Sequence, residues 1–327
     1  MSSDEEKQLR AGLFHATEQG YAVLAKGGSA TDAVETAVRA LEDNPLFNAG
    51  KGAVFNRDGV NQLEASIMNG NANSAGAATL LTTVKNPVSL ARKVMESNFH
   101  VFLCGPGAEH YAKEQGLEIV DPSYFWTKHR WEQHERGYIH TADTPIEKCT
   151  GSSNSLSPTC THVPISEQNE PHDYSHLPMG TVGSVAVDVN GYLAAATSTG
   201  GMSNKWNGRI GDSPVIGAGT FADKAVAVSS TGAGEYFIRQ GTARYISLRV
   251  QLLGESPRQA SRAVIAEMKT TGGDGGVICI DPDGNPSMIF SSAGMYRAYC
   301  STTTENVPVV GIFGDEVIAP GDIHIEI

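Results

Sequence analysis

Thr181, Thr199, Arg209 and Asp212 stand in one stretch, GTVGSVAVDVNGYLAAATSTGGMSNKWNGRIGD, residues 180–212. A threonine hydroxyl is a weak nucleophile until a base takes its proton. An N-terminal threonine solves this internally, because its own α-amine, with a pKa of about 7.7–8.0, can serve as that base. The chain must then be cut just before the threonine. Gly180 is suited to precede such a cut, since a residue without Cβ tolerates the strained backbone that lets a hydroxyl attack its own preceding carbonyl. Arginine can hold a carboxylate through two parallel hydrogen bonds, and an aspartate can hold an ammonium. Arg209 and Asp212 together suit a substrate end that carries both charges. The alternative for Thr181 is that it simply starts a strand.

The elements around these residues follow from pattern. Val182, Val185 and Val187 favour a strand, Asp188-Val189-Asn190-Gly191 a turn, and Tyr192 to Thr199 a second strand. Folding at Asn190-Gly191 brings Thr199 nearly opposite Thr181. Downstream, Thr231-Gly232-Ala233-Gly234 lies between a strand at Ala225–Ser229 and a helix predicted from about Glu235 to Leu253. Backbone N–H groups at a helix N-terminus form a natural oxyanion hole.

Helical periodicity runs from Leu9 to Lys26 and stops at Gly27-Gly28. A second helix, capped by Ser29, places Ala30, Val34, Ala37, Val38 and Leu41 on one face and ends at Asn44-Pro45. Ala53 to Phe55 and Leu63 to Met68 read as a strand pair, and Ala75 to Val84 as another strand. Val88 to Glu96 is helical behind Pro87. Val101 to Cys104 reads as a short buried strand, with Cys104 and Cys279 as core residues. Gly107 to Gln115 and Ser256 to Lys269 are further helices. Gly276 to Asp281 and Ser287 to Phe290 form a hairpin, and a last strand lies near Val309 to Phe313. Tyr124, Phe125, Trp126 and Trp131 read as packing. From about 141 to 178 the period collapses into Ser, Thr, Pro, Asn and His, a flexible linker whose His162, His172 and His176 are solvated. Helices, strands, helices, strands in that order predict an α+β fold with mostly antiparallel sheets between helices.

Composition removes several functions. The formal net charge of −12 argues against nucleic acid and against an anionic membrane surface. No apolar run approaches the roughly 20 residues of a membrane helix. The opening MSSDEEKQLR is acidic and polar, unlike a signal peptide. Five cysteines, odd in number and without CxxC spacing, argue against a disulfide framework or zinc site and fit a reducing cytoplasm. Gly50-Lys51-Gly52 lacks the spacing of a phosphate-binding loop.

The stretch from Gly180 through GTFAD resembles the β-subunit start of the plant-type asparaginase and isoaspartyl peptidase family, which belongs to the N-terminal nucleophile hydrolases. GGSATDAVETAVRALEDNPLFNAGKGAVF, LEASIMNG and NPVSLARKVME are similar to the same family's α-subunit. The resemblance implies a four-layer αββα sandwich, self-cleaved between Gly180 and Thr181 into an α-subunit of 1–180 and a β-subunit of 181–327. It implies that Thr181 is the nucleophile and its freed amine the base, that Thr199 orients it, and that Thr231 and Gly232 form the oxyanion hole. Arg209 then holds the substrate α-carboxylate, and Asp212 with the Gly234 carbonyl its α-amine. Carbonyls of Leu41, Glu42, Asn44, Phe47, Ala49 and Lys51 align with those that bind a structural sodium ion, and Asn48 matches a position tied to the active site. The implied reaction needs no catalytic cofactor. It hydrolyses L-asparagine and β-linked isoaspartyl dipeptides through a β-aspartyl ester on Thr181. The implied assembly is a dimer of αβ units. Two alternatives stand beside it: a relative acting on glycosylated asparagine, and an uncleaved, catalytically silent homologue.

One departure bears on the last alternative. Family members usually begin with an apolar strand ending in a His-Gly-Gly-Ala-Gly-like loop. Here MSSDEEKQLR precedes the first helix, so that strand is expected to be missing from a central sheet. Losing it leaves backbone groups unpaired, at a cost of several kcal/mol on the usual scale for buried unsatisfied groups.

Overall fold

A computed structural model gives the structure of the chain and describes residues 1–141, 180–319 and 321–325. The first helix, α1 (Ser3–Ala25), starts earlier than its apolar period suggests. Ser2 Oγ accepts from Glu5 N at 3.2 Å and Glu5 Oε2 accepts from Ser2 N at 3.3 Å, a reciprocal cap that satisfies two end donors. Ser29 caps α2 (Ala30–Glu42) through Asp32 N.

These helices cover a five-stranded sheet of order β3-β2-β1-β5-β4, with β1 Leu63–Asn69, β2 Ser74–Leu81, β3 Phe102–Cys104, β4 Val182–Val187 and β5 Leu193–Thr199. Only the β2/β3 pair is parallel. The period-two alternation sorts the side chains. Ala65, Ile67, Ala194 and Ala196 pack under α1, α2 and α3 (Pro87–Ser97) with Val34, Val38 and Met95. Met68, Leu193 and Ala195 point the other way, into a core shared with the second sheet.

That second sheet has the order β12-β9-β8-β7-β6, with β6 Thr220–Ala222, β7 Ala227–Gly232, β8 Gly275–Ile280, β9 Pro286–Phe290 and β12 Asp322–His324. It is antiparallel except for β12 beside β9. Ile246 of α7 (Thr242–Leu253) and Val264, Ile265 and Met268 of α8 (Pro257–Thr270) pack against it. A two-stranded ribbon, β10 (Gly294–Tyr299) with β11 (Val309–Phe313), lies beside α1. Its Arg297 is buried and donates from Nε to both oxygens of Asp322 at 2.8 Å.

Hydroxyls join the two sheets near the open end of the β4–β5 hairpin. Ser66 Oγ lies 2.7 Å from Thr220 Oγ1, which donates to Thr197 Oγ1 at 2.5 Å, and Thr197 Oγ1 lies 2.7 Å from Ser229 Oγ. A Cβ on Gly183 would come within 2.0 Å of Ser229 Oγ, so this approach of the sheets requires glycine.

Several sequence expectations need correction. Ala53 to Phe55 is not a strand. Asn48 Oδ1 accepts from Val54 N at 2.9 Å, and Asn61 Nδ2 donates to the Ala53 and Val54 carbonyls, so side-chain amides replace the ladder. Val101 to Cys104 is not buried: β3 is a three-residue edge strand with Phe102 and Cys104 exposed. The long helix after Gly234 is two, α6 (Gly234–Gln240) and α7, broken where Gly241 takes φ +63°. The segment 121–137 resolves into a 3-10 turn, Pro122–Phe125, and α5 (Lys128–Thr141), which takes in Thr141 from the expected linker. Between α3 and this turn lies α4 (Gly105–Glu114). Residues 142–178 of the linker, with His162, His172 and His176, lie outside the described residues.

Candidate active site

The β4–β5 register pairs Val182 with Ser198, so the next position outward sets Thr181 beside Thr199. The turn that closes this hairpin is fixed by Asp188, whose Oδ1 accepts from Asn190 N and Tyr192 N. At the open end, the Gly180 carbonyl receives two hydrogen bonds. Thr199 Oγ1 donates to it at 2.9 Å and Asn48 Nδ2 at 2.8 Å. Both donors are themselves held. Thr199 Oγ1 accepts from Gly201 N at 2.9 Å, and Asn48 Nδ2 also donates to the Gly201 carbonyl at 2.6 Å. The carbonyl next to Thr181 is therefore polarised in the way an acyl group is prepared for attack.

The charged residues arrive from the loop after β5 and from β1. Arg209 is mostly buried, and its Nε and Nη2 donate to Glu235 at 2.8 and 2.9 Å. A guanidinium has five N–H groups, so the Nη1 side remains available to a second carboxylate. Asp212 is buried, and its Oδ2 has no hydrogen-bond partner in the described structure. Burial, reinforced by the charge of Glu64, pushes its carboxyl up to about 7. Glu64 pairs with Thr199 across β1 and β5 and accepts from Gly211 N at 3.0 Å, which fixes the turn before Asp212.

Gly180, Thr181, Thr199, Arg209, Asp212 and Gly232 line one small cleft, together with Glu64 and Met202. The free volume in it is about 10 Å³, room for roughly one water. Thr231 and Gly234 do not line it directly. Thr231 precedes Gly232 at the end of β7, where Gly232 takes φ +143° and a Cβ would strike the Asp274 carbonyl at 2.3 Å. Gly234 opens α6 against the charged pair. A Cβ there would stand 2.9 Å from Asp212 Oδ1 and 3.0 Å from Arg209 Nη2. Gly234→Ala should therefore crowd the charged pair while leaving the fold intact. The expected result is a KM raised about tenfold or more, with a melting temperature lowered by no more than corresponds to the roughly 1–3 kcal/mol usual for overpacking. A KM equal to that of the parent would show that nothing binds between Arg209 and Asp212.

Two participants escape the sequence reading. Glu64 sits in LEASIMNG as the only charge in a strand buried on both faces, a signal that was there to be used. Glu235 follows Thr231-Gly232-Ala233-Gly234 directly, but only the structure shows that it grips Arg209. No group of three or more His, Cys, Asp or Glu side chains that could hold a metal ion occurs among the described residues. No helix there is long and apolar enough to cross a membrane.

Comparison with known proteins gives a consistent answer. A family model described as asparaginase matches residues 1–310. The isoaspartyl peptidase of Escherichia coli (strain K12) is 42% identical over 318 residues, which are 97% of this chain and 92% of that protein. The isoaspartyl peptidase of Salmonella typhimurium is likewise 42% identical, over 96% of this chain and 93% of that one. The isoaspartyl peptidase/L-asparaginase of Bos taurus is 38% identical over 90% of this chain and 87% of its own length.

Proposed function

The chain belongs to the asparaginase family, and from that premise we propose that it is a threonine hydrolase that cuts itself before Thr181 and then hydrolyses L-asparagine and β-linked isoaspartyl dipeptides. The hydrolase activity carries the names of its relatives at 37–44% identity. The self-cleavage and the residue roles rest on geometry. The observation that carries them is the Gly180 carbonyl, doubly bonded to Asn48 and Thr199 on the residue that precedes Thr181.

In the first step Thr181 Oγ attacks the Gly180 carbonyl carbon. The negative charge that develops on the oxygen is met by Asn48 Nδ2 and Thr199 Oγ1. The hydroxyl proton passes to the Thr181 nitrogen as the C–N bond breaks, the acyl group is left on Thr181 Oγ as an ester, and water hydrolyses that ester to a Gly180 carboxylate, a free Thr181 hydroxyl and a free α-amine. The freed α-amine then serves as base for the second reaction. Thr181 Oγ attacks the substrate's side-chain carbonyl, the amine carries the proton to the leaving nitrogen, and water hydrolyses the β-aspartyl ester. Thr231 and Gly232 supply the oxyanion donors for this step. Arg209, braced by Glu235, holds the α-carboxylate. Asp212, with the Gly234 carbonyl, holds the α-amine and so gains the hydrogen bond its Oδ2 lacks. Asparagine and isoaspartyl dipeptides present the same α-groups and differ only in what leaves.

The reading extends to architecture. The two helix-covered sheets form the four-layer αββα sandwich of the N-terminal nucleophile hydrolases, with 1–180 as α-subunit and 181–327 as β-subunit, two αβ units pairing in the cytoplasm. Carbonyls of Leu41, Glu42, Asn44, Phe47, Ala49 and Lys51 form the sodium loop. Leu41, Asn44, Phe47 and Ala49 each accept one backbone N–H, and a carbonyl oxygen keeps a second lone pair for a hard cation.

Thr199→Val tests the reading, since it keeps the side-chain shape and removes the donor to Gly180. Self-cleavage, followed as two bands on a denaturing gel, should slow about 10²–10³-fold, the usual cost of one oxyanion donor. Thr199→Ser should restore most of the rate. Cleavage at the parent rate in Thr199→Val would remove Thr199 from the mechanism.

A further inference from the structure

Arg130, in the first turn of α5, is a buried guanidinium whose hydrogen-bond acceptors are all neutral. Its Nε donates to the Gly52 carbonyl at 2.7 Å, its Nη2 to the Leu46 carbonyl at 3.3 Å and its Nη1 to Gln133 Oε1 at 2.8 Å. Burial without a carboxylate partner pushes its pKa down to about 10. A buried charge that lacks a counter-charge is costly. Two carbonyls could be covered more cheaply by a neutral amide, so the position asks for a reason.

The reason lies in what the guanidinium spans. Leu46 and Gly52 are the two ends of the turn that carries Asn48. The turn is tight: a Cβ on Gly52 would strike the Phe47 carbonyl at 2.1 Å and the Pro45 carbonyl at 2.5 Å, and Gly50 takes φ +49°. Asn48 is tied on every side. Its Oδ1 accepts from Val54 N, its Nδ2 donates to the Gly180 and Gly201 carbonyls, and its own carbonyl accepts from Gly200 N at 3.0 Å. If the turn opened by about 1 Å, the bond to Gly180 would leave hydrogen-bonding range.

The same helix is docked on the second loop of the site. Asn204 Nδ2 donates to the His134 carbonyl, so its Oδ1 faces His134 Nδ1 and that nitrogen carries the proton. Asn204 N donates to the Phe55 carbonyl at 2.8 Å, and Trp131 stands edge-on to the Phe55 ring. A Cβ on Gly137 would meet Asn204 Nδ2 at 2.1 Å. α5 therefore rests on the turn that bears Asn48 and on the loop opened by Gly201, whose N–H holds Thr199 Oγ1.

We propose that Arg130 is a positioning residue for self-cleavage: by bridging the two ends of the 46–52 turn, it holds Asn48 Nδ2 on the Gly180 carbonyl. This rests on the reading of Asn48 as a donor to that carbonyl in the first step. Arg130 itself touches no reacting atom. It sets the distance at which Asn48 works, and a misplacement of about 1 Å at a reacting centre costs on the order of 10²-fold.

Cell-free synthesis of the full chain, sampled over time on a denaturing gel, gives the self-cleavage rates of Arg130→Met, Arg130→Lys, Asn48→Ala and the double variant Asn48→Ala with Arg130→Met. Arg130→Met should cut about 10- to 100-fold more slowly than the parent. Arg130→Lys keeps the charge but not the fork that reaches both carbonyls, and should fall between the two. In the Asn48→Ala background, already slow, Arg130→Met should change the rate less than about twofold, because the side chain through which it acts is gone. Two slowing factors that multiply would make Arg130 a general support of the fold and overturn the proposal. Arg130→Met cutting at the parental rate beside a slow Asn48→Ala overturns it too, while leaving the reading of Asn48 intact. Asn48→Ala cutting at the parental rate removes both. Should Arg130→Met fail to fold, as read by near-ultraviolet circular dichroism, Arg130→Lys in the same two backgrounds makes the same comparison.

Discussion

Thr181→Ala should leave one uncut chain of 34.6 kDa and no aspartate release from asparagine or isoaspartyl dipeptides. Both losses have the same cause. On the proposed mechanism the hydroxyl attacks Gly180 and, afterwards, the substrate, so the variant would have neither the processed site nor the nucleophile. Removing the nucleophile of a covalent hydrolase costs on the order of 10⁴–10⁶ in kcat, because groups that act as a unit fail together. Thr181→Ser keeps an attacking hydroxyl and should still cut, only more slowly. The fold should be indifferent to either change, since Thr181 stands outside the ladder that begins at Val182 and is only partly buried. A denaturing gel, an aspartate assay and a melting curve on each variant suffice. Aspartate release by a purified Thr181→Ala chain would end the nucleophile assignment.

The second large effect belongs to Asp212, and it has two opposite signs. Asp212→Asn should lower kcat/KM about 10²–10³-fold if, as proposed, the substrate ammonium thereby loses its charged partner in a buried site. In the parent enzyme kcat/KM should fall as pH drops through an acid limb at or below 7, where Asp212 takes up a proton and no longer attracts an ammonium. The variant should lack that limb. Stability moves the other way. The folded chain holds the Asp212 proton up to about 7, whereas the unfolded chain releases it near the ordinary aspartate value of 3.8. Stability from this group is therefore complete below about pH 4 and is lost as pH rises to 7. Asp212→Asn removes the loss and should stabilise the chain by about 1–3 kcal/mol at pH 8 and by little at pH 4. The cleanest background is Thr181→Ala, which keeps the site in its uncut form. Equal melting temperatures for the two chains at pH 8 would show that Asp212 is not strained by burial.

Much of this was legible in the sequence, for identifiable reasons. The β4–β5 hairpin announces itself through valine spacing and the Asp188–Gly191 turn, and its register alone puts Thr181 beside Thr199. Arg209 and Asp212 stand in a loop too rich in glycine and charge for a plain connection, and Gly232 and Gly234 in the glycine turn between a strand and a helix. What stayed hidden depends on contacts between distant segments. VFLC reads as core, yet β3 lies at a sheet edge with too few neighbours to cover Phe102. Ala53 to Phe55 has strand-forming residues, but Asn48 and Asn61 take its backbone partners first. Gly241 left the helical period after Glu235 undisturbed and still broke it, because a positive φ is not visible in a hydrophobic pattern. The family resemblance ties Asn48 to the active site, but its bond to the Gly180 carbonyl spans a separation that no local motif encodes.

The cleft around Gly180 also has an electrical side. It is lined by two carboxyl groups, Glu64 and Asp212, and one guanidinium, Arg209. On the proposed self-cleavage, breaking one neutral peptide bond would add a carboxylate that can leave and an amine that stays. Thr181 would thereby acquire a titratable cation facing a carboxylate that burial has left short of counter-charge. In the empty site that attraction would favour the protonated amine, which is a poor base. A substrate ammonium arriving at Asp212 would take over the counter-charge and repel the proton on Thr181. The substrate would then switch on the base that attacks it, and the empty enzyme would rest with its nucleophile unactivated.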